Sequence, residues 1–375
     1  MRPLRRRSDA WVFTSMEQGP KIDTSLLLIT LVLVGLGTVM VYSSSCVIAQ
    51  VKFKDSSFFL ERQILRALAG LAAMVVVARI NYRVWTKGAR IFLLLGLLLL
   101  LAVLVQKLIG VNGVRGARRW LIGGSFQPSE FVKLALVCYL ADSLARKKNR
   151  LQEFRRGYVP YVLVLVLVLS LIVAQPDLGT ALAIGTIAAI MLFIGGVKIT
   201  HLLGTAFAVL PIFCILISRV GYWWIRIESF LNRDSYQITQ SLLGLGNGGL
   251  SGVGLGESKQ KLFFLPDPHT DFVFSITGEE LGFIGAAFVV LLFLLFARRG
   301  IRIAKAAPDL QGFFLAVGIT VMISVYATLN IGVVTGVLPT TGLPLPFISY
   351  GGSSLFLTLT GMGMLLSISR QGIGR

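Results

Sequence analysis

From Leu310 to Ser369 the chain runs 60 residues without one charged side chain. Thr24 to Val51 is likewise uncharged, and Ile199 to Ser218 has only His201 as an ionisable group. A bilayer-spanning helix needs roughly 20 mostly apolar residues. Backbone groups in lipid must pair internally, which leaves helices and closed barrels. The apolar runs are continuous rather than alternating, so the spans are helical. Charged residues make up 14% of the chain, where soluble domains carry about 25%. The sequence therefore reads as an all-α polytopic membrane protein. Its ten spans fall at 24–47, 62–80, 90–108, 129–146, 158–175, 178–197, 199–218, 271–297, 311–335 and 352–369.

The first run is longer than a cleavable signal and follows a basic leader, so it reads as a retained span. Three parts result: a cytoplasmic leader at 1–23, one membrane domain at 24–370 and a cytoplasmic tail at 371–375. The domain's 219–270 segment is a large outer loop with no separate domain in view. Net charge is +19, which in a soluble protein would suggest nucleic acid. With the N-terminus inside, 22 Lys and Arg fall in inner segments and 7 in the short outer ones. Long loops are discounted because they cross regardless of charge. The basic balance is thus a topology signal plus attraction to anionic membrane lipid, not nucleic acid. Both termini are placed in the cytoplasm, with the chain in the inner membrane.

Cys46, Cys138 and Cys214 lie in or beside apolar runs and form no disulfide framework. Two histidines are too few for a His-rich metal site, and no repeat suggests a transporter's inverted halves.

An ionisable residue at membrane depth is a functional candidate, because its burial costs several kcal/mol. Glu130 and Lys133 lie i,i+3 at the start of the fourth span, on one helix face. They form a structural ion pair, or Lys133 lends charge to an anionic ligand. Gln175-Pro176-Asp177 ends the fifth span, and Asp177 either caps the sixth or meets substrate. Arg118, Arg119 and Trp120 combine guanidinium forks suited to phosphate with an interfacial indole. His269, Thr270 and Asp271 sit at the mouth of the eighth span. Asp271, Ser275 and Gly278 share a face by i, i+4, i+7 spacing, with Glu279 roughly 12 Å deeper. A helix N-terminus lowers the Asp271 pKa and desolvation raises it. Either Asp271 is a general base, or Thr270 or Asp271 caps the helix. The glycine-rich stretch Gly244 to Gly256 lacks a nucleotide-loop ending. It reads as a compact loop with unusual backbone angles, or as a flexible one.

Five motifs then converge: Gly116-Ala117-Arg118-Arg119-Trp120, Gln127-Pro128-Ser129-Glu130, Gln175-Pro176-Asp177-Leu178-Gly179-Thr180, Leu265-Pro266-Asp267-Pro268-His269-Thr270-Asp271-Phe272 and Pro346-Phe347-Ile348-Ser349-Tyr350-Gly351-Gly352-Ser353-Ser354. From about residue 24 to 370 the chain resembles the SEDS family (shape, elongation, division, sporulation). The Ser258 to Phe264 lead-in and the basic leader look closer to the division branch than to the elongation branch. Asp267 stands where the family usually has Glu.

The resemblance implies ten helices and a peptidoglycan glycosyltransferase that polymerises lipid II into glycan strands. It also implies work with a class B penicillin-binding protein and other divisome proteins at the division septum. It puts the essential carboxylate on Asp271 and the fourth-span pair on Glu130 and Lys133. Substrate contacts are expected at Arg118, Arg119, Trp120, His269, Thr270, Ser349, Gly351 and Ser353, with Gln175, Asp177 and Glu279 as structural or contact residues.

The expected chemistry needs one carboxylate. Asp271 takes the proton of an acceptor sugar hydroxyl. The nascent glycan strand's undecaprenyl pyrophosphate leaves without needing one. Lys133, Arg118 and Arg119 meet the charge growing on that diphosphate. A divalent cation, Mg or Mn, can share the work, though no dedicated cage is visible. The competing classes are a lipid II flippase, an elongation-type enzyme and a scaffold without chemistry.

Overall fold

The computed structural model describes residues 22–109, 119–121, 126–147, 150–219 and 221–372. Residues 1–21 of the leader, the tail end and Arg118 lie outside them. The described residues form α-helices, one π-helical turn at Phe154–Tyr158 and one isolated bridge between Leu121 and Phe126. The helices are α1 Thr24–Phe53, α2 Phe58–Arg79, α3 Tyr82–Lys87, α4 Ala89–Leu108 and α5 Pro128–Lys147. They continue as α6 Val159–Val173, α7 Leu178–Ile194, α8 Ile199–Arg219, α9 Gly221–Leu231 and α10 Tyr236–Asn247. The last three are α11 Val273–Lys305, α12 Leu310–Val334 and α13 Gly352–Gly372.

Each of the ten expected spans coincides with a helix. Six stretches qualify as membrane crossings on length and apolarity alone: α1, Ala89–Gln106, Phe154–Val173, α11, α12 and α13. The chain is therefore a multi-pass membrane protein. Its helices carry exposed Leu28, Leu65, Ile91, Phe207 and Leu294, an outward apolar surface that lipid rather than water solvates.

Local chemistry sets the helix starts. Asp23 caps α1 by accepting from the Leu26 N–H at 2.9 Å, and Asp309 caps α12 by accepting from the Gly312 N–H at 2.7 Å. Asp177 caps α7 by accepting from the Thr180 N–H at 3.3 Å. Such caps satisfy backbone donors left over at a helix start and contribute about 1 kcal/mol each. α12 packs against α5, α7, α11 and α13, and α13 lies along α2. The centre is apolar, with Phe296, Leu315, Ile319 and Leu365 almost fully buried.

The 219–270 segment holds two helices, α9 and α10, within the expected outer loop. One expectation at its end is corrected. The eighth span does not begin at Asp271, because α11 starts at Val273 with Phe272 as N-cap and no side-chain cap bond. Asp271 therefore precedes the helix and shares no face with Ser275 and Gly278. Ser275 donates to the Ser241 carbonyl at 2.9 Å, and Gly278 packs beneath Leu245.

The glycine-rich stretch is compact. α11 is broken at Gly282, whose φ of 68° and ψ of −169° suit essentially only glycine. The backbone groups beside the break are taken up by the glycine loop. Val253 N–H donates to the Glu279 carbonyl at 3.0 Å, and Gly254 N–H donates to that of Glu280 at 3.1 Å. In return Phe283 N–H donates to the Gly249 carbonyl at 2.9 Å. A Cβ on Gly252 would lie 2.1 Å from the Glu280 oxygen, so no larger residue fits. Non-helical backbone at membrane depth is tolerated where protein satisfies it, and this loop does so. Gly282→Ala should destabilise the protein by ~3 kcal/mol or more through strain and contact. A thermal unfolding temperature unchanged from the parent would refute that account.

Candidate active site

Three clusters of polar residues lie at one end of the bundle. The first surrounds Asp271. Its backbone carbonyl accepts from Asn330 Nδ2 at 2.8 Å, and the same amide donates to the Leu343 carbonyl at 2.7 Å. Its Oδ2 lies 3.5 Å from where a Cβ on Gly342 would stand. The segment before it is fastened to the loop before α13. Ser349 Oγ donates to the Thr270 carbonyl and accepts from the Leu345 N–H at 2.8 Å, and Tyr350 N–H donates to the His269 carbonyl at 2.9 Å. The buried His269 ring is wedged 4.7 Å from Phe59 and 5.6 Å from Tyr350, between centroids. Asp267 has a φ of 49°, a left-handed conformation that Asp tolerates better than most residues.

Burial pushes the Asp271 carboxyl up to about 6, and the nearby Asp267 carboxylate adds to the rise. Arg226, the Thr270 hydroxyl and Arg119 pull the other way. Desolvation thus prevails over the stabilising cations, as a general base near neutrality requires.

The second cluster centres on Arg119. Its Nε donates to the Gln175 carbonyl at 3.3 Å, a second nitrogen donates to that of Pro176, and Nη1 lies 3.5 Å from Asp177. Asp177 is thus both helix cap and ion-pair partner. Burial raises its pKa, and Arg119 opposes the rise. Gln175 Nε2 donates to the Leu100 carbonyl at 3.0 Å, tying this turn to α4. A cavity of about 180 Å³ opens beside the cluster, lined by Arg119, Pro176, Leu178, Gly179, Leu182, Trp223, Arg226, Ile227 and Pro339 to Thr341. Its lining has two guanidinium groups and no carboxylate.

The third cluster is the Glu130–Lys133 pair, 2.7 Å apart and almost wholly buried. The Lys133 ammonium also sits 3.8 Å from the Tyr326 ring centroid. Such a stack adds about 2 kcal/mol when desolvated. Glu130 and Asp177 are close enough to feel each other's charge, which links this cluster electrostatically to Arg119.

The structure therefore joins Arg119, Gln175 and Asp177, joins Glu130 with Lys133, and joins His269, Thr270, Asp271 and Ser349. Trp120 is half-buried next to Arg119, and Gly351 is half-buried before α13. Ser353 Oγ accepts from the Gln127 N–H at 3.0 Å, tying α13 to the start of α5. Ser349 and Ser353 thus both make scaffold contacts. Glu279 takes the structural side of its two readings. It accepts from Ser258 Oγ and from the N–H groups of Lys259 and Gln260 at 3.2 and 3.3 Å, so it anchors the loop. Its neighbour Glu280 pairs with Lys261 at 3.0 Å and accepts from Ser43 Oγ at 2.6 Å.

Sequence reasoning missed Arg226, Tyr326 and Asn330. Arg226 had a signal: Trp223-Trp224-Ile225-Arg226 repeats the interfacial arginine–indole pattern of Arg119-Trp120. Tyr326 and Asn330 lie in an uncharged span and carry no local signal.

Residues 24–373 match the family model described as cell cycle protein, FtsW/RodA/SpoVE. The chain is 45% identical to the probable peptidoglycan glycosyltransferase FtsW of Geobacter metallireducens, over 95% of this chain and 97% of that one. It is 45% identical to stage V sporulation protein E of Bacillus subtilis, over 93% and 97%. Its fold resembles the crystal structure of Thermus thermophilus rod shape determining protein RodA, with a TM-score of 0.69 and 30% identity over 94% and 97% of the two chains. It also resembles a chain of a peptidoglycan synthase complex that coordinates polymerization and crosslinking, with a TM-score of 0.75 and 29% identity over 94% and 98%.

Proposed function

This chain belongs to the FtsW/RodA/SpoVE family of cell cycle proteins, and from that premise we propose that it is a peptidoglycan glycosyltransferase polymerising lipid II. The observation that carries the reading is the state of Asp271. It caps no helix, its carboxyl is raised to about 6, and it lies within the field of Arg226 and Arg119, the two cations that line the nearby cavity. A carboxylate so placed suits proton removal from an attacking sugar hydroxyl. The arginines suit the departing diphosphate. One carboxylate suffices because the diphosphate leaves unprotonated, unlike the leaving group of most glycosidases.

Among the described residues no group of three or more His, Cys, Asp or Glu side chains is gathered for a metal. A divalent cation, Mg or Mn, would accordingly arrive with the substrate diphosphate, and no protein step depends on it. A class B penicillin-binding protein is the proposed partner, by analogy with the synthase complex that shares the fold. The 45% identity to the probable FtsW of Geobacter, equalled by a sporulation protein of Bacillus, is the ground for proposing a role at a division-type septum. A cytoplasmic placement of both termini follows from the Lys and Arg bias.

The test is purified protein, with and without the class B partner, supplied with lipid II and assayed for glycan strands. Polymer supports the reading. Lipid II crossing the membrane without polymer would establish a flippase instead. The rate should rise with pH through about 6 and then level, because the working form of Asp271 is the carboxylate, which predominates above its pKa. At pH 5 the rate should be about one tenth of the plateau. A flat profile from pH 5 to 7.5 would remove Asp271 from the base role.

A further inference from the structure

Arg119 alone is a thin holder for a diphosphate, since Asp177 already offsets part of its charge at 3.5 Å. We propose that Arg226 is the second arm of a clamp that, with Arg119, binds the diphosphate of a polyprenyl-linked substrate in the cavity between α7, α9 and the 339–342 strap. This assignment rests on the glycosyltransferase reading for its substrate class.

Helical spacing makes α9 a wall of that cavity. Trp223, Arg226 and Ile227 follow i, i+3, i+4 and line it. Trp224 and Ile225 are exposed away from it. The buried Trp223 fixes how the helix is rotated, and with it the direction of Arg226. The Arg226 Nη1 donates to the Thr340 carbonyl at 3.0 Å, which orients the planar guanidinium. Arg119 is oriented the same way, by the Gln175 and Pro176 carbonyls. Two guanidinium groups thus reach one cavity from different walls, each bonded to a backbone carbonyl and Arg119 also paired with Asp177. Forked, oriented guanidinium groups match phosphate oxygens in pairs, which a single ammonium does not.

Two more features fit the ligand. Thr341 lines the cavity, and its Oγ1 is buried beside it without a hydrogen-bond partner. A buried hydroxyl without a partner is costly, and a phosphate oxygen would satisfy it. Leu178, Leu182, Trp223 and Ile227 supply an apolar wall suited to the first carbons of a polyprenyl chain. The strap connects the clamp to the chemistry, since Gly342 follows Thr341 and abuts the Asp271 carboxyl. Both arginines also act on the Asp271 charge, so they stand on its side of the site.

The test measures binding without turnover, in full-length protein carrying Asp271→Asn. The probes are undecaprenyl pyrophosphate, undecaprenyl phosphate and inorganic pyrophosphate as competitor. Adding Arg226→Gln should weaken undecaprenyl pyrophosphate binding at least tenfold and shrink the preference for diphosphate over monophosphate. Arg226→Lys keeps the charge but not the fork, and should lose about two- to fivefold. Inorganic pyrophosphate should compete in the parent and not in the Gln variant. Unchanged affinity in Arg226→Gln overturns the clamp, as does equal loss of both lipids with a lowered unfolding temperature. The enzyme reading fails separately: wild-type protein that makes no glycan sinks the polymerase and leaves the clamp standing if the binding pattern holds.

Discussion

Asp271→Asn should lower glycan polymerisation by about 10³-fold or more while leaving the protein folded and in the membrane. General-base removal typically accounts for 10²–10⁴-fold, and an amide cannot take the proton. The fold should survive because the scaffold holds this residue by its backbone. Asn330 bonds the Asp271 carbonyl, and Ser349 bonds that of Thr270. No helix cap is lost, since α11 starts without one. The amide also relieves burial of a carboxylate beside Asp267, so the unfolding temperature should hold or rise slightly. Asp271→Glu keeps the charge, but the longer side chain meets the Gly342 segment and should recover only a small part of the rate. Polymerisation by Asp271→Asn within threefold of wild type would end the base assignment. Lost activity with an unfolded protein would point to a structural role instead.

The fold was legible where residues repeat one message over 15 or more positions. Uninterrupted apolar runs mark the spans, and Asp177 marks a start where the structure has a cap. α3, α9 and α10 were not legible. They are short, and their partly polar sequences look like loop when read without a partner surface. The start of α11 was misplaced by two residues, and that small slip moved Asp271 off the helix. Glu279 illustrates a different limit. An acid inside an apolar run signals function by its cost, but the cost here is offset by Ser258 and two backbone N–H groups from a loop about 20 residues away. No periodicity reveals such a partner. The break at Gly282 is hidden for the same reason, because glycine is common in spans and only the docked loop makes this one irreplaceable.

Lys133→Ala should cost 3–5 kcal/mol of stability, roughly the penalty for leaving one member of a buried ion pair alone. Glu130 would remain almost wholly buried beside an empty space, and the stack on the Tyr326 ring would go with the ammonium. Loss of activity in that variant would therefore say nothing about chemistry. The double variant Glu130→Gln with Lys133→Met separates the two roles. It removes both charges and roughly keeps the volume, and such replacements are often neutral for stability. If the pair only clamps α5 against α12, the double variant should regain both the unfolding temperature and the polymerisation rate. If the ammonium works through Asp177 and Arg119 on the ligand's negative charge, stability should return while the rate stays at least tenfold down. We expect the second result, because Glu130, the partner of Lys133, acts on the same Asp177 carboxyl that Arg119 pairs with. An isolated structural pair had no need to sit there. Recovery of full rate by the double variant would assign the pair to architecture alone.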